Sequence, residues 1–589
     1  MRRRKIAVGV TLLALLVLVW CALAIVDVLA ARRDAVAAEA AAREAADLAG
    51  AGDLEGAQEV LHDAVGSLDS AQAALHRPWV RSLRLVPYAG TELAAADAGV
   101  EAVRHTSLAT LSLLDYVLAD RAPLYGAGRL EPSGLSELGQ VLTEAIGHVS
   151  TANETITAAP HSRLGFVARR LEEADRVTAA LTDSLRGAAS LVDRLAEAAG
   201  GGRPYRLLVL LENGAERRAT GGLVGWIALF KVADGSIQLE RSDAVAALSA
   251  RDPSGELVRV EAPADYVRRY GEFLANSTLW LNVNLSPDFP AVAGVAGRLY
   301  TAATGLTVDA VARIDLVGLG YLMDAFPEMT IDGRNVAGAT LATDFLIDSY
   351  RLPSPAEQNA YLAAAVREVF GQLIGGASAD RSALLKAVRR AVGERRLAVV
   401  TDDDAVNAML AAAGADGTVL PGGAGDLLVT SQNFAANKVD LFTKTDLTIA
   451  AVPDGCGIQG EISLTLTNAT PVGMDWLPHL ALGNKGRWMV SVYLPRGAKL
   501  LGLQVDGRPA EGSFLEEFGR RVVSLIVDAE MGAAVTVTVG WQEQLTEPGY
   551  TLTLQPQPLV VPGTLSVNGE PPVLLVETQR REFPDACVG

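Results

Sequence analysis

The chain has 589 residues, 50% of them hydrophobic, and carries 51 Lys and Arg against 69 Asp and Glu for a formal net charge of −18. That length implies several domains and that apolar content implies large cores, which excludes a disordered chain. An acidic chain is unsuited to general nucleic-acid binding, which needs clustered cations, and to broad adhesion to anionic lipid.

Arg2, Arg3, Arg4 and Lys5 form a basic tail ahead of an uncharged run over residues 6–26. At about 1.5 Å per residue the run makes a helix of roughly 31 Å, which matches a hydrocarbon core of about 30 Å. The expectation is a single transmembrane helix, with Trp20 towards the outer interface. The positive-inside bias puts residues 1–5 in the cytoplasm and the bulk outside the plasma membrane. The competing readings are a cleaved signal peptide, for which the run is long, and a lipoprotein acylated at Cys21, for which Trp20 is too bulky.

Residues 32–200 read as a helical stalk or bundle. Leu54, Ala57, Leu61, Ala64, Val65, Leu68, Ala71 and Leu75 recur at three- and four-residue steps, and Pro78 stops that helix. Further helices are predicted from Thr91, over 135–152 and over 164–198. A Gly-rich boundary, Gly200-Gly201-Gly202-Arg203-Pro204, precedes an α/β layered domain over 203–430. Its expected strands are 205–211, 223–232, 236–239 (after the Asp234-Gly235 turn), 308–314 and 397–400. Helices are expected over 316–325, 339–350, 359–373, 382–392 and 403–413. From 438 to 589 apolar residues alternate with polar ones, as at Ile462, Leu464 and Leu466. Turn pairs such as Asp506-Gly507 divide these runs, so the pattern predicts a C-terminal antiparallel β-sandwich.

The chain has three cysteines. Cys456 and Cys587 bracket the sandwich and would lie in an oxidising compartment; they form either a disulfide or two unpaired thiols. The histidines show no metal-ligand spacing, so no metal site is assigned.

The most unusual stretch runs from Glu212 to Gly222. It joins two apolar strands yet holds Asn213, Arg217, Arg218, Thr220, Gly221 and Gly222. Paired arginines beside a glycine turn could hold a phosphate or carboxylate by bidentate hydrogen bonds; the alternative is a hairpin loop with solvated arginines. In Trp280-Leu281-Asn282-Val283-Asn284-Leu285-Ser286-Pro287-Asp288, the side chains of Asn282, Asn284 and Asp288 could converge in a cleft, with Asp288 as base or metal ligand. Asp288 could equally cap the following helix. Asp309, Asp315, Asp324 and Asp332 could form a carboxylate cluster. Neither Gly-x-Ser-x-Gly nor His-Glu-x-x-His occurs.

Four stretches carry a family resemblance. They are Glu212-Asn213 with Arg218-Ala219-Thr220-Gly221-Gly222, Asn284-Leu285-Ser286-Pro287-Asp288-Phe289-Pro290, Val308-Asp309-Ala310-Val311-Ala312-Arg313-Ile314-Asp315, and Gln432-Asn433 with Asn437-Lys438-Val439-Asp440. Together they resemble the domain-of-unknown-function family four-zero-one-two, bacterial membrane-anchored proteins common in actinobacteria. That resemblance implies a cell-envelope setting. The layout from Val308 to Arg351 is also similar to the LytR-CpsA-Psr ligases, which move glycopolymers from a polyprenyl-pyrophosphate lipid to the cell wall. It departs from them in lacking their Arg-x-Asp-Thr strand, and leaves Arg217, Arg218 and Arg351 as stand-ins for their arginines.

The leading expectation is therefore an envelope protein that handles cell-wall glycopolymer or its polyprenyl-phosphate-linked precursor. Phosphoryl-type transfer would use Arg217 and Arg218 as clamp and Asp288 or Asp243 as base or ligand to a divalent cation such as Mg. The alternative is a non-catalytic scaffold or adhesion protein that binds protein or glycan.

Overall fold

The computed structural model describes residues 2–119, 124–126, 128–331, 333–375, 380–474, 483–545 and 549–584, and the side chains among them apart from those of 2–18, 125, 355, 359 and 381. The chain divides into two compact units, one of Met1–Tyr125, Leu130–Glu197 and Asp403–Ala412, the other of Gly126–Arg129, Ala198–Asp402 and Ala413–Gly589.

The first unit is helical. It is built from α1 (Arg2–Ala51), α2 (Leu54–Leu75), α3 (Ala89–Leu118), α4 (Pro132–Ala158) and most of α5 (Gly165–Ala199). Asp53 caps α2 by accepting a hydrogen bond from the Gly56 backbone N–H. Ala24, Ala31, Ala38 and Ala45 are all buried and stand one heptad apart on α1. The last three share a core with Ala57, Leu61, Ala64, Leu68 and Ala71 of α2, so small side chains let the two helices approach closely. The short helix Asp404–Ala412 belongs to this unit. It passes so close to α5 that a Cβ at Gly187 would stand 2.4 Å from the Ala405 carbonyl oxygen.

Among the described residues no helix is long and apolar enough to cross a membrane. This corrects the transmembrane helix expected over 6–26, and with it the single-pass plasma-membrane placement. The side chains of 6–18 lie outside the described residues. Asp27 is buried and accepts a hydrogen bond from Trp79 Nε1 at 2.5 Å. Trp20, 45% exposed, donates through Nε1 to Ser82 Oγ at 2.8 Å. The apolar run is the start of a 50-residue helix that continues through Arg32, Arg33 and Asp34.

In the second unit, β1 (Tyr205–Arg218), β2 (Gly221–Ala233), β3 (Ser236–Ala244), β4 (Ala310–Asp315) and β5 (Leu397–Thr401) form a sheet in the order β3-β2-β1-β4-β5. Only β1 and β4 run parallel among these neighbours. Asp234 and Gly235, both at positive φ, turn β2 into β3 as their sequence predicts. Alternation along β1 feeds two cores. Leu208 and Leu210 pack with Val292, Val295 and Leu299 of α7 (Phe289–Thr304), the helix after α6 (Ala264–Tyr270). Val209 and Leu211 face the opposite layer, made by α8 (Leu316–Met323), α9 (Gly338–Leu346), α10 (Pro355–Gly375) and α11 (Arg381–Gly393).

The polar stretch over 212–222 is two paired strand ends joined by a two-residue turn at Ala219 and Thr220, not a loop between two apolar strands. β1 continues to Arg218, and Arg217 and Arg218 pair with Gly222 and Gly221 of β2. Irregularities between Leu211 and Glu212 and between Asn213 and Arg217 absorb the change of pattern.

The sandwich starts at β6 (Asp426–Asn433) and continues through β7 (Thr443–Pro453), β8 (Gly457–Asn468), β9 (Gly486–Tyr493), β10 (Lys499–Val505), β11 (Ser513–Glu517), β12 (Arg520–Ala529), β13 (Ala534–Gln544), β14 (Tyr550–Gln555), β15 (Gly563–Val567), β16 (Val573–Leu575) and β17 (Gln579–Phe583). One sheet runs β11-β12-β9-β6-β14-β17 and the other includes β10-β13-β8-β7-β15-β16. Both are mixed rather than purely antiparallel, because β6–β14 and β7–β15 are parallel. Trp488, Trp541, Ile462, Leu464 and Val490 lie in the shared core. Cys456 is disulfide-bonded and Cys21 is free; Cys587, the third cysteine, lies outside the described residues.

One carboxyl bridges the two sheets. Glu543 on β13 accepts hydrogen bonds from the Gly425 backbone N–H at 3.2 Å and from the Tyr550 hydroxyl at 3.3 Å. Burial pushes its pKa up from 4.5 to about 7, against the pull of those two donors. The folded state therefore holds this proton more tightly than the unfolded one, and stability is lost as pH rises from about 4.5 through about 7. Glu543→Gln is expected to flatten that decline, as thermal melts at pH 5 and pH 8 would record; an unchanged pH slope would remove Glu543 as its source.

Candidate functional site

The four stretches that carry the family resemblance are far apart in sequence, and the fold gathers them into one buried polar knot where β1, β2 and β4 abut the sandwich. Glu212 on β1 stands beside Asp315 on β4 in the parallel register. Its Oε1 accepts from the Thr220 hydroxyl at 2.6 Å and from Asn284 Nδ2 at 3.2 Å, and its Oε2 lies 3.4 Å from Arg313 Nη1. Burial raises the Glu212 pKa; Arg313, Thr220 and Asn284 oppose that. Arg313 also donates to the Thr220 carbonyl at 2.7 Å and to the Arg395 carbonyl at 2.6 Å. Asn284 Nδ2 donates to the Gly222 carbonyl at 2.7 Å. Asn284 Oδ1 and Arg313 Nε have no hydrogen-bond partner among the described residues.

Arg217 is 1% exposed. Nη1 donates to Ser431 Oγ at 3.1 Å and Thr445 Oγ1 at 3.0 Å, and Nη2 to the Thr443 carbonyl at 2.9 Å. Its Nε stands 3.4 Å from Asp440 Oδ1, and its backbone N–H donates to Asp440 Oδ2 at 2.9 Å. Burial pulls the guanidinium pKa down, and Asp440 opposes the shift. Asp440 is itself held by Trp488 Nε1 at 2.8 Å and Asn433 Nδ2 at 2.8 Å. Arg218, also buried, donates to the carbonyls of Arg217, Asn433 and Leu281 and to Asn282 Oδ1 at 3.3 Å. Gln432 Nε2 reaches the Leu285 carbonyl at 3.0 Å.

Of the residues singled out in the sequence, the knot brings together Arg217, Arg218, Thr220, Gly221, Gly222, Asn282 and Asn284. Asn213 sits beside them on β1, its Oδ1 accepting from the Ala215 N–H. Gly221, at φ 149, touches Glu212: a Cβ there would stand 2.8 Å from Glu212 Oε2. The others fall elsewhere. Asp288 caps α7, accepting from the Ala291 and Val419 N–H groups at 3.3 Å each, and burial raises its pKa. Asp243 on β3 pairs with Arg241 at 3.0 Å. Arg351 pairs with Asp348 at 3.3 Å on the surface.

The carboxylates around β4 do not gather either. Asp315 caps α8 and pairs with Arg396 at 2.7 Å, Asp309 accepts from the Arg206 N–H at 2.7 Å, and Asp324 lies at the C-terminal end of α8. Asp332 is outside the described residues. Among the described residues no group of three or more His, Cys, Asp or Glu is placed to hold a metal ion. The sequence reading gave no role to Glu212, Arg313, Ser431, Asp440 or Thr445; three of these lie inside the quoted motifs, and that is the signal that could have drawn attention to them.

No protein of curated function matches the chain. A solved structure similar to it is a Legionella pneumophila protein provisionally described as nutrient binding, at 8% identity, over 25% of this chain and 55% of that one, with a TM-score of 0.18. The chain thus spans about half of that protein's length, and so distant a likeness carries no argument. The LytR-CpsA-Psr similarity finds no support. Residues 202–350, which hold three of the four motif stretches now seen in the knot, match the family model described as protein of unknown function (DUF4012), the family the motifs resemble.

Proposed function

We propose that this protein is a non-catalytic scaffold or adhesion module, whose α/β layer and β-sandwich act as one binding body for a protein or glycan. The observation that carries this reading is the burial of Arg217 and Arg218 with their N–H groups spent on protein acceptors. A pyrophosphate clamp needs guanidinium groups open to the ligand; Arg217 would have to break its buried ion pair with Asp440 first, at a cost of several kcal/mol, and Arg218 its hydrogen bonds to protein carbonyls. The position of Asp288 as a helix cap supports the same reading, since a capping carboxylate already accepts backbone hydrogens. The disulfide at Cys456 fits an oxidising compartment.

The test is calorimetric titration of the full chain with a soluble polyprenyl-pyrophosphate analogue in the presence of Mg. The expected result is no saturable heat. Saturable binding, accompanied by release or transfer of phosphate, would overturn the reading in favour of glycopolymer chemistry.

A further inference from the structure

α11 departs from the charge balance of the chain. Between Asp380, which caps it by accepting the Ala383 N–H at 3.0 Å, and Glu394 at its end, it carries Arg381, Lys386, Arg389 and Arg390 and no acidic residue. It also has two apolar stripes where a surface helix needs one. Ala387 and Ala391 are buried towards the protein. Leu385 and Val388 are 53% and 36% exposed, and half-buried Val392 completes an outward stripe at i, i+3 and i+7. Lys386 and Arg389 are exposed beside that stripe. Charged neighbours stand at the C-terminal end of the helix. Glu394 takes Arg390 at 2.8 Å and Arg396 at 2.7 Å, Arg390 stacks on the Tyr321 ring at 3.8 Å, and the Glu577 carboxylate approaches Gly393 at the C-terminal end.

We propose that this face of α11 is a docking surface for an anionic lipid interface, with Leu385 and Val388 dipping among the headgroups and Lys386 and Arg389 pairing with their phosphates. The contact lies along the interface plane and crosses nothing. A linear polyanion would leave the apolar stripe unused. A protein partner would need about 800 Å² on this side, more than one convex helix face offers. A lipid surface needs no matched shape. The proposal is independent of the scaffold reading, so either can fail alone.

The test places an environment-sensitive fluorophore at Val388→Cys in full-length protein whose free thiol is removed by Cys21→Ser. The local probe reports α11 whatever the rest of the chain does. With vesicles of phosphatidylglycerol and phosphatidylcholine at low salt, a blue shift is expected. With phosphatidylcholine alone, none is expected. Lys386→Glu with Arg389→Glu should weaken the response at least about 25-fold, taking about fivefold for each cation near a charged surface. Both positions are exposed, so an unchanged melting temperature verifies the fold. No shift, an equal shift with neutral vesicles, insensitivity to the charge reversal, or the same shift with soluble polyphosphate would each overturn the proposal.

Discussion

Arg217→Ala is expected to destabilise the second unit by about 3–5 kcal/mol, because it leaves the Asp440 carboxylate buried without its cation. Asp440 is 1% exposed and its two remaining side-chain donors, Trp488 and Asn433, are neutral, with only the Arg218 guanidinium still within electrostatic reach. The same substitution strands the hydroxyls of Ser431 and Thr445 and the Thr443 carbonyl. Urea unfolding should show a lower midpoint at unchanged slope. Removing both charges with Arg217→Met and Asp440→Asn should recover part of the loss, since replacing a buried pair costs less than breaking it. Arg351→Ala, at the surface, should shift stability by no more than about 0.5 kcal/mol. A loss below about 1 kcal/mol for Arg217→Ala would mean that the guanidinium is held far more loosely than its contacts indicate.

Gly222→Ala is the second large effect, at about 3 kcal/mol. A Cβ at Gly222 would stand 2.2 Å from the Asn213 carbonyl carbon and 2.4 Å from the Gly214 nitrogen. Both atoms are backbone and cannot rotate away as a side chain would, and Asn213 is paired to Leu223, so the hairpin itself must open. Gly225→Ala, three residues along the same strand with nothing within 4 Å of its Cβ, is the control and should be close to neutral. Thermal melts of the two variants side by side would decide; equal melting temperatures would remove the close approach as a constraint.

The two positions also show what sequence reading could and could not reach. Local chemistry was legible at the Asp234-Gly235 turn and in the alternation of apolar and polar residues along the later strands. Apolar period cannot show that a polar stretch is strand, because Glu212 and Arg217 occupy inward positions that only a distant partner makes tolerable. The acceptor of Arg217 lies 223 residues away, beyond any window. Asp288 illustrates the reverse case, where the modest alternative of a helix cap matched its contacts. The run over 6–26 had the length and apolarity of a span, but among the described residues no helix is long and apolar enough to cross a membrane.

The long reach between Arg217 and Asp440 has a temporal consequence. At about 5–20 residues per second, a ribosome needs roughly 11–45 s to make the 223 residues that separate them. Throughout that interval the Arg217 guanidinium has none of its acceptors, which lie at residues 431–445. The nascent α/β layer must therefore wait, hydrated and unsealed, until the first sandwich strands arrive to close over it.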